Sequence, residues 1–273
     1  MKDNQVVEAS CLKTIKKNRV VVGDNVDIKE NEFNKGKYII TQVFPRKNII
    51  PRPVIANIDK LLILVAKEPQ IDFYLVDKLI IYCQINHIEP VIVINKCDIA
   101  TSELLSDVHS QYPDLQIFEI SAKKGTNIDS LKNYINDSIC AVCGQSAVGK
   151  SSLINCLIPN INLQTQSLSN KISRGKHTTR VNQIFVSDNI MIADTPGFSN
   201  LELNINYREL KVFYPEFEPF VDKCKYLDCS HIKEGSDCGV VKAVNENKIN
   251  KDRYNRYIAL YQKLKENWEK KYD

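Results

Sequence analysis

The sequence predicts an α/β protein: a mainly parallel sheet with helices on both faces, flanked by an N-terminal β-module and a C-terminal helical module. Three observations lead to this prediction. Between residues 56 and 222, apolar stretches of strand length alternate with stretches of helical spacing. A loop with two glycines at residues 144–151 joins one such strand to a helix, and cysteines cluster between residues 224 and 238. We therefore divide the chain into 1–55, 56–222 and 223–273.

The N-terminal division is predicted from its residue types. Residues 19–28 combine a β-branched run with a Gly-Asp-Asn turn, and residues 38–44 form a second strand. Pro45, Pro51 and Pro53 mark the exit from these strands. We expect a small β-module followed by a linker.

The middle of the chain contains the alternating elements. The predicted strands are 61–66, 91–94, 115–120 and 139–143. The predicted helices are 71–85, 102–110, 128–135 and 151–157. We expect a hairpin from 181–186 and 190–193, and the C-terminal residues 250–272 are predicted to form a helix.

Composition limits the class of protein. The 273 residues are 43% apolar and 26% charged, which is typical of a soluble globular chain with one domain large enough for a full core. The longest apolar stretches are too short to cross a bilayer, and residues 1–5 lack the apolar core of a signal peptide. We expect a cytoplasmic protein with no membrane partner.

Six dispersed cysteines are predicted to be reduced thiols: Cys11, Cys83, Cys97, Cys140, Cys143 and Cys156.

Residues 144–151 have the pattern G-x-x-x-x-G-K-S, typical of a phosphate-binding P-loop. Gly144 and Gly149 allow the tight backbone path, and the backbone N–H groups point towards the phosphates. Lys150 is expected to reach the β- and γ-phosphates, and the Ser151 hydroxyl to bind Mg²⁺. The remaining predicted contacts of this loop are Gln145, Ser146, Ala147, Val148 and Ser152.

A second motif predicts which base is bound. Asn95, Lys96, Cys97 and Asp98 follow the strand 91–94. The Asp98 carboxylate can accept hydrogen bonds from N1–H and the N2 amino group of guanine, whereas adenine lacks this donor pair, so GTP is preferred over ATP. Asn95 is expected to brace the loop, and Lys96 to lie along the base.

Two shorter motifs complete the predicted nucleotide site. Ser121, Ala122 and Lys123 follow the next strand, and the Ala122 N–H is expected to donate to guanine O6. Residues 194–197 read Asp-Thr-Pro-Gly after strand 190–193. Asp194 is expected to hold Mg²⁺ through water, and the Gly197 N–H to contact the γ-phosphate.

The order of these motifs is unusual. In an ordinary small GTPase the P-loop precedes the base-reading motif, but here residues 95–98 precede residues 144–151. A circularly permuted GTPase has this order, and it is physically permissible because domain termini usually lie close together. The Asp-x-x-Gly segment then lies just before the C-terminal module, where the nucleotide state could act on that module directly.

With these motifs the chain resembles the ribosome small-subunit-dependent GTPase A (RsgA) family, circularly permuted GTPases of bacterial 30S assembly. Residues 21–26 are similar to the OB-barrel signature of that family, and residues 175–179 (Gly-Lys-His-Thr-Thr) to its switch I. The resemblance implies an OB-like barrel and a zinc-binding C-terminal module. The chain departs from the family in that few residues precede Gly23, so the alternatives are a complete barrel and a trimmed one. The resemblance also implies a monomer whose partners are GTP or GDP, the 30S subunit and its 16S rRNA, without DNA.

The resemblance further implies a magnesium site and catalytic residues. Thr179, with Thr178 as the alternative, would coordinate Mg²⁺ together with Ser151 and Asp194. The catalytic candidates are His177, Lys150 and Thr179.

The expected water-orienting residue is missing. Phe198 stands where Ras-like proteins have a glutamine, so we expect slow intrinsic turnover that another group or the ribosome completes. His177 could supply that group or could be a solvated loop histidine.

Cys224, Cys229, His231 and Cys238 provide three thiolates and one imidazole, the donor set of a closed structural zinc site. The surrounding loop has little core of its own, so a metal would order it. The alternative is reduced thiols and a surface histidine. Six residues separate His231 from Cys238, where the family usually has five.

The predicted function is therefore a GTP hydrolase acting in late 30S maturation. One alternative is a permuted GTPase of the large subunit. The other is an RNA-binding assembly factor in which the nucleotide is mainly a conformational switch.

Basic clusters suit RNA contact or a solvated face: Lys13, Lys16, Lys17 and Arg19; Arg46, Lys47 and Arg52; and a tail of Lys248, Lys251, Arg253, Arg256, Lys263, Lys265, Lys270 and Lys271. The aromatic residues of that tail either stack on RNA or pack on the GTPase domain.

Overall fold

A computed structural model describes residues 6–11, 20–51, 54–158, 183–193, 201–232 and 237–272. Over these residues it contains eleven strands and seven α-helices. No helix in these ranges is both long enough and apolar enough to cross a membrane.

The N-terminal strands form two small sheets. Strands β1 (Ala9–Cys11), β2 (Val26–Asn31) and β3 (Asn34–Val43) pair in the order β1-β3-β2. Strands β4 (Ile49–Pro51) and β5 (Val54–Ala56) form an antiparallel hairpin. A backbone bridge between Val22 and Ile55 links the chain before β2 to this hairpin. A closed OB-like barrel stays a prediction, because the described strands lie in two separate sheets.

The segment predicted as a linker is partly a hairpin. Ile50 and Ile55 pair across it, and their side chains are 1% and 0% exposed. Burial of this apolar pair stabilises the hairpin although Pro51 lies at its end, a position where proline removes no central ladder bond.

The central sheet has the predicted mainly parallel form. Its described strands are β6 (Lys60–Val65), β7 (Glu89–Ile94), β8 (Gln116–Glu119), β9 (Ile139–Gly144), β10 (Ile184–Ser187) and β11 (Ile190–Ala193). Their order is β10-β11-β9-β6-β7-β8, and only β10 is antiparallel to its neighbour among these described strands. The prediction of the β10–β11 hairpin is confirmed.

The described α-helices are α1 (Phe73–Ile85), α2 (Ser102–Gln111), α3 (Ile128–Ile135), α4 (Lys150–Leu157), α5 (Glu218–Val221), α6 (Gly239–Asn245) and α7 (Lys251–Tyr272). Side-chain caps fix where two of them begin. The Asp72 carboxylate accepts from the Leu75 N–H at the start of α1, and the Thr101 hydroxyl accepts from the Leu104 N–H at the start of α2.

Helices cover both faces of the sheet, as predicted. Successive residues of a strand point to opposite faces, and Ile63 and Val65 pack into the cluster that contains α1, α2 and the C-terminal region. Leu62 and Leu64 pack into the other cluster, with α3 and α4. This double coverage explains the continuous apolar strands.

The C-terminal region packs on the central domain through aromatic residues. Two 3₁₀ segments, Tyr207–Phe213 and Pro215–Phe217, precede α5. The ring of Tyr257 on α7 lies 4.9 Å from that of Tyr214 and 5.0 Å from that of Phe217. Tyr257 is fully buried. The aromatic residues of the tail were expected either to stack on RNA or to pack on the domain. For Tyr257, the second interpretation is correct.

A buried ionic cluster fastens α7 to α1. The Asp77 carboxylate of α1, 1% exposed, accepts from Arg253 at 2.6 Å, from Arg256 at 2.5 Å and from the Tyr112 hydroxyl at 2.7 Å. Arg253 also pairs with Glu216. Two arginines of the basic tail therefore neutralise an internal carboxylate.

Candidate functional site

Three of the predicted nucleotide motifs, which lie within the described residues, meet at one edge of the sheet. Residues 144–151 follow β9, residues 95–98 follow β7, and residues 121–123 follow β8. These strands run parallel, so their carboxyl ends open onto the same crevice.

Asn95 joins these loops directly. Its side chain is 2% exposed. Nδ2 donates to the Val148 carbonyl of the P-loop at 2.9 Å, and Oδ1 accepts from the Ala122 N–H at 3.0 Å. One amide therefore holds the base-reading loop, the P-loop and the 121–123 loop together, although they are far apart in sequence.

The two glycines of the P-loop are required by close contacts. Gly144 has φ +137°, and a Cβ there would lie 2.2 Å from the Leu64 carbonyl oxygen. Gly149 has φ +99°, and a Cβ there would lie 2.3 Å from Nδ2 of Asn95. Any side chain at Gly149 would separate the P-loop from Asn95.

Two lysines line the crevice. The Lys150 ammonium donates to the carbonyls of Gly144 at 2.9 Å and Gln145 at 2.5 Å, within the loop. Burial lowers the pKa of Lys150, and Cys143 opposes this. The Lys96 ammonium donates to the carbonyls of Glu68 at 2.8 Å and Ala147 at 3.0 Å. Both amines therefore lie against the P-loop backbone.

The P-loop is also tied to the start of α1. Oε1 of Gln145 accepts from the Asp72 N–H at 3.0 Å, and Nε2 donates to the Gln70 carbonyl at 3.0 Å. Asp72 is the residue that caps α1. No sequence pattern indicates this contact, since the P-loop motif assigns residue 145 only a backbone role towards phosphate.

Asp98 lies in a short 3₁₀ turn, Cys97–Ile99, at the rim of the crevice. A hydrogen bond with the Ser121 hydroxyl and then one with Lys124 lower the pKa of Asp98. The Lys124 ammonium is 3.3 Å from Oδ2. Asp98 is therefore ionised at neutral pH, the form that can only accept hydrogen bonds.

The Ala122 N–H is already engaged by Asn95. Donation to guanine O6 therefore requires that this hydrogen bond be shared or exchanged. Lys123 is exposed beside it, while Ser121 is buried and accepts from the Lys124 N–H at 3.3 Å.

Other predicted residues fall in two groups. Within the P-loop, Ser146 and Ala147 are exposed, Val148 is buried, and Ser151 and Ser152 are partly exposed on the first turn of α4. The second group lies outside the described residues: His177, Thr178, Thr179, Asp194 and Gly197.

The four predicted zinc ligands come together. The donor atoms of Cys224, Cys229, His231 and Cys238 all lie within 4.8 Å of one another. The Sγ atoms of Cys224 and Cys238 are 3.7 Å apart, and Nδ1 of His231 lies 3.5 Å and 3.4 Å from them. The extra residue between His231 and Cys238 does not prevent the cluster from forming.

The distances among Cys224, His231 and Cys238 fit three ligands of a tetrahedral metal. With Zn–S near 2.3 Å and Zn–N near 2.0 Å, two sulfurs lie about 3.8 Å apart, and a sulfur and a nitrogen about 3.5 Å. Burial, and then Lys211, lower the pKa of His231 to about 4. The imidazole is therefore neutral at physiological pH, the form that binds a metal.

Three side chains outside the cluster support its loop. The Tyr254 hydroxyl donates to the His231 carbonyl at 2.8 Å, and the Tyr257 hydroxyl to the Ser230 carbonyl at 2.6 Å. The Lys211 ammonium donates to the Cys229 carbonyl at 3.1 Å. Sequence reasoning missed these roles, and the only available signal was the helical spacing that places both tyrosines on one face of α7.

Comparisons with known proteins decide the family. The model of the RsgA GTPase family matches residues 43–204. The small ribosomal subunit biogenesis GTPase RsgA of Clostridium botulinum is 41% identical over 249 residues, which cover 89% of this chain and 84% of that protein. The chain belongs to the RsgA GTPase family.

Solved structures agree with this membership. The crystal structure of YjeQ from Thermotoga maritima has a TM-score of 0.79 and 32% identity, covering 94% of this chain and 89% of that one. YloQ, described as a circularly permuted GTPase, has a TM-score of 0.78, covers 98% of this chain and 89% of its own, and at 23% identity shows a shared fold. The prediction of a circularly permuted GTPase fold is confirmed.

Proposed function

We propose that this RsgA-family protein hydrolyses GTP on the small ribosomal subunit during late maturation, and that the subunit stimulates turnover. The observation that carries the proposal is the Asn95 bridge, which fastens the guanine-reading loop to the P-loop. The relatives named as small ribosomal subunit biogenesis GTPases support the choice of partner.

The proposed base recognition uses the charge state of Asp98. An ionised carboxylate can accept two hydrogen bonds from the Watson–Crick edge of guanine, whereas adenine offers no such pair of donors. The Ala122 N–H would donate to O6 in a bond shared with Asn95. Lys96, already held along the P-loop by two carbonyls, would provide one side of the base pocket.

The proposed phosphate site uses Lys150. Its ammonium would exchange the carbonyls of Gly144 and Gln145 for phosphate oxygens, which attract it more strongly because they are charged. The negative phosphates also favour the charged amine, against the burial that lowers its pKa. Mg²⁺ would be held by Ser151 with Thr179 (or Thr178) and Asp194, and would neutralise charge on the transferred phosphoryl group.

Hydrolysis requires a positioned water. Phe198 cannot orient one by hydrogen bonding, and His177 is the proposed substitute. If His177→Ala leaves subunit-stimulated turnover unchanged, that role is wrong.

The proposed domains, RNA contact, oligomeric state and location follow from the small ribosomal subunit as the partner. We assign residues 1–55, 56–222 and 223–273 to an OB-like module, the GTPase domain and a zinc-stabilised module. The 16S rRNA is the proposed contact within the subunit. The protein would act as a monomer in the cytoplasm, where ribosomal subunits mature.

The test is phosphate release from GTP by the purified chain, with and without small subunits. We expect slow release alone, a large stimulation by small subunits and none by large subunits. Stimulation by large subunits alone would instead indicate the permuted large-subunit alternative. Nucleotide-dependent binding to small subunits without phosphate release would indicate the alternative of an RNA-binding switch protein.

A further inference from the structure

A groove that is lined by none of the predicted nucleotide-site residues has no role in the function proposed so far. It has a volume of about 530 Å³ and lies between α1, residues 202–205 and α7. This volume is within the range of sites that hold small organic molecules. The segment 202–205 comes shortly after the Asp-x-x-Gly motif in the sequence, so an occupant of the groove would contact the chain soon after it leaves the nucleotide site.

The inside of the groove is apolar and aromatic. Leu203, Leu260 and Leu264 line it and are 9%, 2% and 6% exposed. Tyr74 from α1 and Trp268 from α7 also line it, and both are half-buried. Flat aromatic side chains above an apolar floor suit a planar ring system.

The rim of the groove is cationic. Lys263 and Lys270 are exposed on α7, and Lys78 is half-buried on α1. Burial lowers the pKa of Lys78, while Glu202 and Asp72 oppose this. Of the charged residues that line the groove, three are cations and one, Glu202, is an anion. The rim therefore favours a negatively charged ligand.

These lysines differ from the arginines of the same helix. Arg253 and Arg256 are committed to the buried Asp77 cluster. Lys263 and Lys270 lie about two and four turns beyond Arg256 on α7, on either side of Trp268 in the sequence. The basic tail therefore has an internal ionic part and a separate part that faces the groove.

We propose that this groove binds an unpaired nucleotide of single-stranded RNA, with its base against Tyr74 and Trp268 and its phosphate at Lys263 and Lys270. A planar ring joined to a phosphate is the ligand that matches both the apolar floor and the cationic rim. The choice of RNA rests on the proposed function, since the small subunit is the source of unpaired nucleotides.

Trp268 is the only tryptophan in the chain, so its fluorescence reports on this groove alone. The full-length, zinc-loaded protein is titrated with a short single-stranded oligoadenylate in the absence of nucleotide. We expect saturable quenching, because a stacked base quenches indole emission. A parallel titration with an acidic peptide tests the competing protein ligand, and quenching by the peptide but not by RNA would overturn the proposal.

Two double variants are compared. The test variant combines Lys263→Ala with Lys270→Ala, and the control variant combines Lys251→Ala with Lys265→Ala. The second pair removes two exposed α7 lysines that do not line the groove. We expect weaker RNA binding only for the first pair, with the slope of log affinity against log salt reduced by about 0.7 for each phosphate that is no longer bound. Equal weakening by both pairs would show unspecific attraction and overturn the proposal.

Labelled RNA and Trp268→Ala give an independent readout. Trp268→Ala removes the proposed stacking partner, so the affinity for labelled RNA, measured by fluorescence anisotropy, should fall about five-fold or more. Unchanged affinity would overturn the groove assignment. RNA binding in a protein that shows no subunit-stimulated GTP turnover would overturn the proposed function and leave the groove assignment standing. Stimulated turnover without any RNA response at Trp268 would overturn the groove assignment alone.

Discussion

At the scale of the residue, Asn95 explains how a permuted chain holds the loops of the proposed nucleotide site together. Its amide has both a donor and an acceptor, and the structure uses one for the P-loop and the other for the 121–123 loop. Permutation moves the chain ends but leaves these loops at the same edge of the sheet. The order of the motifs is therefore irrelevant to the geometry of the site.

Asp98→Asn should change which base is preferred. Asparagine replaces one acceptor oxygen by an amino donor, which suits the O2 of xanthine rather than the N2 amino group of guanine. We expect weaker GTP binding and stronger binding of xanthosine triphosphate, measured by competition for one fluorescent nucleotide. Unchanged preference for GTP would show that Asp98 does not read the base.

Gly23→Ala should destabilise the N-terminal region strongly. Gly23 has φ +89°, and a Cβ there would lie 2.1 Å from the Ala56 carbonyl oxygen. Gly36→Ala is the matched control, because Gly36 has φ +84° with open space around it.

Backbone strain alone costs about 1–2 kcal/mol in both variants. In denaturant unfolding, we expect a clearly larger loss of stability for Gly23→Ala, because its Cβ also pushes the chain away from Ala56. Equal losses would mean that the close approach to Ala56 has no energetic role.

Sequence reasoning was strong for residues within motifs and weak for their partners. The motifs predict that Asn95 braces the loop and that Gly144 and Gly149 allow a tight backbone path, which agrees with their contacts, while their roles towards a nucleotide stay predictions. The side-chain contacts of Gln145 with residues 70–72 could not be predicted, since they join loops through tertiary structure.

At the scale of the element, the α1–α7 contact makes the C-terminal module part of the GTPase core. A carboxylate at position 77, between Val76 and Leu79 on the apolar face of α1, was a signal of a buried partner. The sequence alone did not indicate that this partner was 176 residues away on α7.

Asp77→Ala should loosen α7. It leaves the buried guanidinium groups of Arg253 and Arg256 without a shared counter-ion, which costs on the order of 3–5 kcal/mol. Asp252→Ala is the control, because Asp252 is exposed in the first turn of α7 and contributes less than about 1 kcal/mol through the helix dipole.

The measurement is chemical denaturation combined with amide exchange of α7. We expect lower stability and faster exchange in α7 for Asp77→Ala only. Similar stability of the two variants would show that the ionic cluster is not what fastens α7.

The strands β6, β7, β9 and β11 of the central sheet could be predicted because they are largely buried and read as short apolar runs. The β4–β5 hairpin was missed because Pro51 and Pro53 mark a linker when they are read locally. Burial of Ile50 and Ile55 against the domain outweighs that local signal.

At the scale of the whole molecule, the loop that holds Cys224, Cys229, His231 and Cys238 depends on two supports. The aromatic cluster of α7 holds the loop backbone from one side. The proposed metal would hold the four ligands from the other side. The apolar cluster that joins the central sheet to α3 and α4 includes no residue of the C-terminal module, so this side of the core should not need the metal.

Removal of zinc should therefore disorder only part of the protein. We expect about one zinc per chain after gel filtration, by atomic absorption. After chelation, amide exchange should rise in residues 224–232 and 237–245 and stay unchanged in β9 and α4. A metal-free protein with unchanged exchange in the module would contradict a structural zinc.

The central claim is that one crevice reads guanine and holds the triphosphate. Equilibrium binding of GTP in the presence of Mg²⁺, with ATP as competitor, tests it most directly. We predict one GTP site per chain, with ATP binding weaker by about 10⁴-fold, because adenine lacks the pair of donors that the Asp98 carboxylate would accept from guanine. Equal competition by ATP, or GTP binding that survives Asn95→Ala unchanged, would contradict the account.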